Sequence, residues 1–169
     1  MYYMIIKDSM VLIHLAKLTL LEKSCNYFKN IIIPMSVADE VKRGIKLGFE
    51  DAVIISNLIN NKKIDILEVK NKNLIKKANE FNIQRGEAEA VALYWEKKAD
   101  FLATDDDNVR KKKYLLEINV IGTPAIILKL YKEGVTDKSK TMGCISKLRE
   151  IGWFHTAVLD KIQMEVENE

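Results

Sequence analysis

Two periodicities alternate along the chain. Tyr2 to Ile6 is an aromatic and β-branched run that ends at Asp8-Ser9, and Val11, Leu12, Leu15 and Leu18 follow at helical spacing, which predicts a strand feeding a helix. A second short strand is expected over 31–33. It stops at Pro34, and Ser36 three residues before Asp39 suggests a capping box that opens a helix carrying Glu40. A helix is expected over 50–60, then a strand within 63–69, where Ile64 and Ile66 alternate with Asp65 and Glu68. Leu74, Ile75, Ala78 and Phe81 predict a short helix. Gly86 is expected to break the chain, with a new helix running from Glu87 through EAEAVALYWEKK.

The stretch 99–104 reads as a fourth strand that closes on Asp105-Asp106-Asp107, one of which should cap the next helix, with Asp107 favoured. A helix over 110–116, a strand over 118–121 and a helix opened by Gly122-Thr123-Pro124 complete the pattern. Leu148, Ile151, Leu159 and Ile162 predict two further helices, and the acidic tail Glu165, Glu167 and Glu169 is expected to fray. Five short strands alternating with helices predict an α/β fold whose parallel sheet is covered on both sides.

Composition narrows the class. In 169 residues, 27 Lys and Arg stand against 24 Asp and Glu, a formal net charge of +3, and the hydrophobic fraction of 48% is that of a globular chain. A chain of this length buries roughly two-thirds of its unfolded surface, so one domain over 1–169 is expected, with 135–169 as a C-terminal helical extension. The longest apolar runs fall far short of the roughly 20 residues that a membrane span needs, and the charged pair Lys7-Asp8 interrupts any signal-peptide core, so a cytoplasmic protein is expected. Cys25 and Cys144 lack metal-site spacing and read as reduced, buried thiols.

The acids carry the chemistry. In an open α/β sheet, ligands bind beyond the carboxyl ends of the strands, where strand order reverses. Asp8 closes the first strand, Asp105 and Asp106 close the fourth, Glu40 lies just past the second, and Glu87 opens the helix before the fourth. If strands one and four are neighbours, these acids converge. Gathered carboxylates repel unless a cation neutralises them, and an all-oxygen set without a nearby ligating His suits Mg²⁺ or Mn²⁺. Such a site can hydrolyse a phosphodiester. Glu87 and Glu89 point about 200° apart on a helix, and Glu87 shares its face with Ala90, Val91 and Tyr94, which favours Glu87 as the inward acid. The basic run Arg110, Lys111, Lys112 and Lys113 follows the acids closely enough to receive a nucleic-acid backbone. His14 and His155 read as packing or surface residues, and Trp95 and Trp153 as core or oligomer contacts.

The segments IIKDSMVLIHLAK, IIIPMSVADEV, RGEAEAVALYWEKKADFLATDDDNVR and INVIGTPAIILKLYKEG resemble, in order and spacing, the PIN domain, particularly the archaeal and bacterial branch related to VapC toxins. The resemblance runs from about Met4 to Gly134. It implies a three-layer α/β/α sandwich around a parallel sheet of about five strands, and a metal-dependent ribonuclease whose four acids bind Mg²⁺ or Mn²⁺. Matched motif to motif, the catalytic acids fall on Asp8, Glu40, Glu87 and either Asp105 or Asp106. Asp8, Glu87, Asp105 and Asp106 are the metal-ligand candidates, and Arg110 and Lys111 the contacts to RNA. An antitoxin partner and a homodimer follow from the same resemblance, the apolar C-terminal helices being the expected dimer contact. The chain departs from the family pattern at Met10, usually a second Ser, and at Glu87, often Asp. The alternative is a non-catalytic PIN-like module that binds RNA or protein. A receiver-type phosphoacceptor domain fits poorly, because the third strand ends at Val69-Lys70 and the fifth at Gly122-Thr123.

Overall fold

A computed structural model describes residues 3–169. The first expected strand therefore loses Tyr2, which lies outside the described residues. The strands are β1 (Tyr3–Lys7), β2 (Lys29–Pro34), β3 (Ile64–Leu67), β4 (Phe101–Ala103) and β5 (Val120–Ile121). All pair in parallel, in the order β3-β2-β1-β4-β5. Strand order reverses between β1 and β4, so the condition for the acids to converge is met. The same order, with β1 at the centre, removes the receiver-type reading.

Side chains alternate across the sheet with period two. Ile5, Ile31, Ile33 and Ile64 enter one hydrophobic cluster, and Ile6, Ile32 and Leu102 enter the other. The first cluster is covered by α1 (Ser9–Lys17), α2 (Leu21–Phe28), α3 (Met35–Lys46), α4 (Glu50–Asn60), α5 (Thr123–Lys132), α6 (Lys138–Ile151) and α7 (Thr156–Glu167). The second is covered by α8 (Lys72–Glu80), α9 (Arg85–Lys97), α10 (Asp107–Lys111) and α11 (Lys113–Leu116). The result is a five-stranded parallel sheet between two helical layers.

Four expectations need correction. Helix α2 was not read from the sequence, although Leu21, Cys25 and Phe28 are buried at spacings of four and three. Helix α3 begins at Met35 with Pro34 as its N-cap. Ser36 is already inside the helix, and its N–H donates instead to Glu89 Oε1 at 3.2 Å, an acceptor supplied by α9. The break before α9 falls over 81–84, with Asn82 in the left-handed region at φ 58°; Arg85, at φ 53°, is the first helical residue, and Gly86 lies inside the helix. The chain end is helical to Glu167 and tied down, with Glu165 pairing with Lys132 at 2.9 Å.

The apolar faces of α6 and α7 are also spent internally. Cys144, Ile145, Leu148, Leu159, Ile162 and Val166 join the same cluster as β1 and β2. Those six residues are therefore spent on the core and are not the ones that a dimer contact through these helices would use. Val158 and Met164 on α7, and Trp153 before it, stay exposed, and a second group of exposed apolar residues, Leu47, Phe49, Val53 and Ile54, lies around the α3–α4 turn. Cys25 and Cys144 are free and buried, as their spacing implied.

Candidate active site

Asp8 ends β1 and caps α1. Its N–H continues the sheet by donating to Ala103 O at 3.0 Å, and its Oδ1 accepts from Val11 N–H at 3.1 Å. Its Oδ2 accepts the hydroxyl of Thr104, the residue that leaves β4 beside it. The Asp8 side chain is buried, and burial pushes its carboxyl up from an ordinary 3.8 to about 7. The Thr104 and Val11 donors pull it down, and the charges of Asp105 and Glu87 push it further up. Three acids from β1, the β4 end and the start of α9 therefore act on one another.

Asp105 is held from two sides. Oδ1 accepts from Thr123 N–H at 2.7 Å and Oδ2 from the Thr123 hydroxyl, at the start of α5. His14 Nδ1 approaches Oδ2 at 2.8 Å. An ionised carboxylate only accepts, so this contact places the imidazole proton on Nδ1. The opposite ring nitrogen, Nε2, is buried with no hydrogen-bond partner among the described residues, and the ring packs on Phe154 with centroids 5.4 Å apart. His14 thus belongs to the site and not merely to the packing. Spacing could not reveal this, because its partner lies 91 residues away. The available signal was a buried polar ring one turn and a half into the helix that Asp8 caps.

Asp106 takes a different role. Its Oδ1 accepts from Val109 N–H at 2.9 Å and its own N–H donates to Thr104 Oγ1 at 3.1 Å, so it caps α10. The expected cap, Asp107, is instead the first helical residue and is exposed. Of the three consecutive aspartates, only Asp105 meets His14 and influences Asp8.

Glu40 lies at the start of α9. A Cβ built on Gly86 would lie 3.6 Å from Glu40 Oε1, which places the Glu40 carboxyl against the first turn that carries Glu87. Glu40 and Ser9 also line a mainly apolar groove of about 350 Å³ that runs between α1, α3 and α4 past Val41, Phe49 and Ile55. Glu89 accepts from Ser36 N–H at 3.2 Å and so serves the first turn of α3.

Arg110 reaches back over Gly122. A Cβ there would fall 2.1 Å from Arg110 Nη1 and 3.1 Å from Asp105 Oδ1, so a side chain at 122 would displace the guanidinium from beside the acid. The rest of the basic run disperses. Lys111 is exposed, Lys112 donates to Phe81 O at 2.7 Å, and Lys113 sits 5.1 Å from the ring centre of Tyr114.

Among the described residues, no group of three or more His, Cys, Asp or Glu is arranged to hold a metal ion by itself. The donor set is nonetheless the one a hard cation takes, since Mg²⁺ is commonly held by one or two carboxylates with water filling its remaining positions. Asp8 and Asp105, whose charges act on one another, are a carboxylate pair of that kind.

A PIN-domain family model (DUF3368: PIN domain) matches residues 4–167, so the match includes the C-terminal helices beyond the motifs read from the sequence. No curated protein matches the chain significantly. The crystal structure of PAE2754 from Pyrobaculum aerophilum is similar in fold, with a TM-score of 0.55 at 17% identity over 77% of this chain and 98% of that one. No helix among the described residues is long and apolar enough to cross a membrane. The chain belongs to the PIN-domain family, whose members are generally nucleases and typically use divalent metal ions.

Proposed function

We propose that the whole chain is one PIN unit and acts as a Mg²⁺- or Mn²⁺-dependent endoribonuclease. The observation that carries this reading is the Asp8 carboxyl at the switch point of the sheet, raised to about 7 chiefly by burial, with the charges of Asp105 and Glu87 adding to the rise. Asp8 and Asp105 are the principal candidates to hold the ion, with Glu87 completing the oxygen set and Asp105, not Asp106, as the fourth acid. A bound divalent cation would supply Lewis acidity toward the scissile phosphate and a source of nucleophilic water. The chain's own residues do the positioning. Thr104 fixes Asp8, Thr123 and His14 fix Asp105, and Glu40 would accept a proton from an attacking water at its carboxylate. Arg110 stands beside Asp105 to receive the phosphate, with Lys111 exposed on the same short helix to meet the backbone further out.

In the toxin–antitoxin reading, the groove beside Glu40, with the exposed Leu47 and Phe49 at its rim, is the surface available to an antitoxin segment. The α3–α4 turn is also the apolar surface available for a homodimer.

The test is cleavage of a pool of labelled RNAs with Mg²⁺, Mn²⁺ or EDTA, beside an Asp8→Asn variant. Cutting that requires metal and falls at least a thousandfold in the variant supports the reading. Failure to bind either metal and failure to cut would replace it with the non-catalytic binding module.

A further inference from the structure

Trp153 is the most exposed large apolar side chain described, at 104% of its reference surface. An indole left wholly in water contributes nothing to the core, and the fold does not use this one as a contact. Its neighbours explain where it is held. Phe154 turns inward onto His14, and Gly152 makes this turn possible, because a Cβ at 152 would lie 2.1 Å from the Phe154 ring. The ring that anchors the 152–155 loop is thus Phe154, and the ring it presents is Trp153. The surface on which it is presented is not neutral. Trp153, Phe154 and His155 line one cleft with Asp105, Arg110 and Pro124. One wall holds an acid of the proposed site and a guanidinium, and the other a free aromatic face.

An aromatic plane beside a phosphate-binding cation is what a nucleotide in a single strand needs, since every base has a face to stack and unpaired bases are free to do so. We propose that Trp153 is a base-stacking residue that holds an unpaired nucleobase next to the Asp105 end of the acid cluster, and so makes the protein select single-stranded RNA. This rests on the nuclease reading for its substrate, yet stacking itself needs no cleavage.

The experiment therefore measures binding where cutting is blocked. In the Asp8→Asn background with Mg²⁺, a single-stranded oligoadenylate of ten nucleotides is titrated while tryptophan fluorescence is followed. Trp95 supplies a constant background, because its Nε1–H is bonded to Leu116 O at 2.9 Å and Lys77 covers its ring. Quenching on binding is expected, absent in Trp153→Phe. Trp153→Ala should weaken binding about tenfold, Trp153→Phe should recover most of that loss, and a duplex of the same sequence should not distinguish the three proteins. In the cleaving protein, Trp153→Ala should raise KM by a similar factor with a smaller change in kcat. Equal affinity of Trp153→Ala and its parent, or quenching equal for duplex and single strand, overturns the proposal even if RNA is cut. Quenching and an affinity loss in a protein that never cuts would uphold stacking and sink the nuclease reading. No binding of the oligonucleotide by any form overturns both.

Discussion

Lys7 and Asp8 are consecutive, both buried and both ionisable, yet they belong to two regions with opposite logic. Lys7 turns onto α2, where its Nζ donates to Ser24 Oγ at 2.7 Å and lies 5.8 Å from the Phe28 ring centre, inside a wall of apolar side chains. Burial lowers its ammonium to about 8. Asp8 lies at the carboxyl end of the sheet among other acids, with two donors and a raised carboxyl. Desolvation penalises the charged form of each, but only the Asp8 penalty is shared with neighbouring charges that a cation could relieve. Lys7 is sealed against any such partner. A perturbed ionisable group therefore marks function here only when like charges face it, and burial alone does not.

Asp8→Asn gives the largest effect and breaks the comparison on one side. Besides losing cleavage, the metal-free variant should be more stable than the parent above pH 7, by roughly 4 kcal/mol at most, because the buried carboxylate is gone. The sign follows from the raised pKa. Between about 4 and 7 the folded protein keeps a proton on Asp8 that the unfolded chain has lost, so this contribution is full at low pH and disappears as pH rises through 7. Urea denaturation at pH 5 and pH 8 should show the parent losing stability across that window while the variant does not. Mn²⁺ should reverse the loss in the parent alone, and more strongly at pH 8 than at pH 6, because the ligand must be deprotonated. A variant less stable than the parent at pH 8 would show that Asp8 is held by its two donors more than it is strained by burial.

Lys7→Met tests the other side. The folded-state ammonium is depressed, so its cost is present in full below about pH 8 and disappears as pH rises toward 10.5. Parent stability should therefore climb across that alkaline window. At pH 7 the methionine variant should gain about 2 kcal/mol, after about 1 kcal/mol is lost because Ser24 Oγ is left without its donor. Metal response and cleavage should not change, since Lys7 does not meet the acids. Chemical denaturation at pH 7 and pH 10 decides it, and an unfolded variant would show that the Lys7–Ser24 hydrogen bond organises the β1–α2 packing.

What the sequence made legible, and what it did not, follows the same division. The strand–helix alternation was readable because periods of two and 3.6 are local, and acids at strand ends were readable because the sheet gathers strand ends. Contacts across the sheet left no such trace. The His14–Asp105 pair, the Glu89 acceptor at the start of α3 and the burial of Lys7 each join segments whose separation in the chain says nothing of their distance. Helix α2 went unread because its charged and polar residues dilute three buried positions. The break over 81–84 was assigned to Gly86 because glycine is the usual residue at positive φ, whereas here Asn82 and Arg85 take that conformation. The three aspartates defeated spacing altogether, since a shift of one residue changes which of them faces the site.

That last ambiguity yields the smallest effect and the finest test. Asp106 accepts from Val109 N–H as the cap of α10, while Asp105 is held by Thr123 and His14 and acts on Asp8. Asp106→Asn keeps a cap acceptor and removes the charge, so thermal stability and cleavage should both stay near the parent's. Asp106→Ala removes the acceptor and should cost about 1 kcal/mol of stability, with only a modest loss of cleavage. Asp105→Asn should do the reverse, keeping much of the hydrogen bonding to Thr123 while cleavage falls at least a hundredfold. Thermal melts and cleavage rates on the three variants separate capping from catalysis. If Asp106→Asn proves as inactive as Asp105→Asn while melting like the parent, the fourth acid is Asp106 and its cap is incidental. The same result would move the metal toward the Thr104 side of the cleft, because Asp106 N–H and Asp8 Oδ2 both meet the Thr104 hydroxyl.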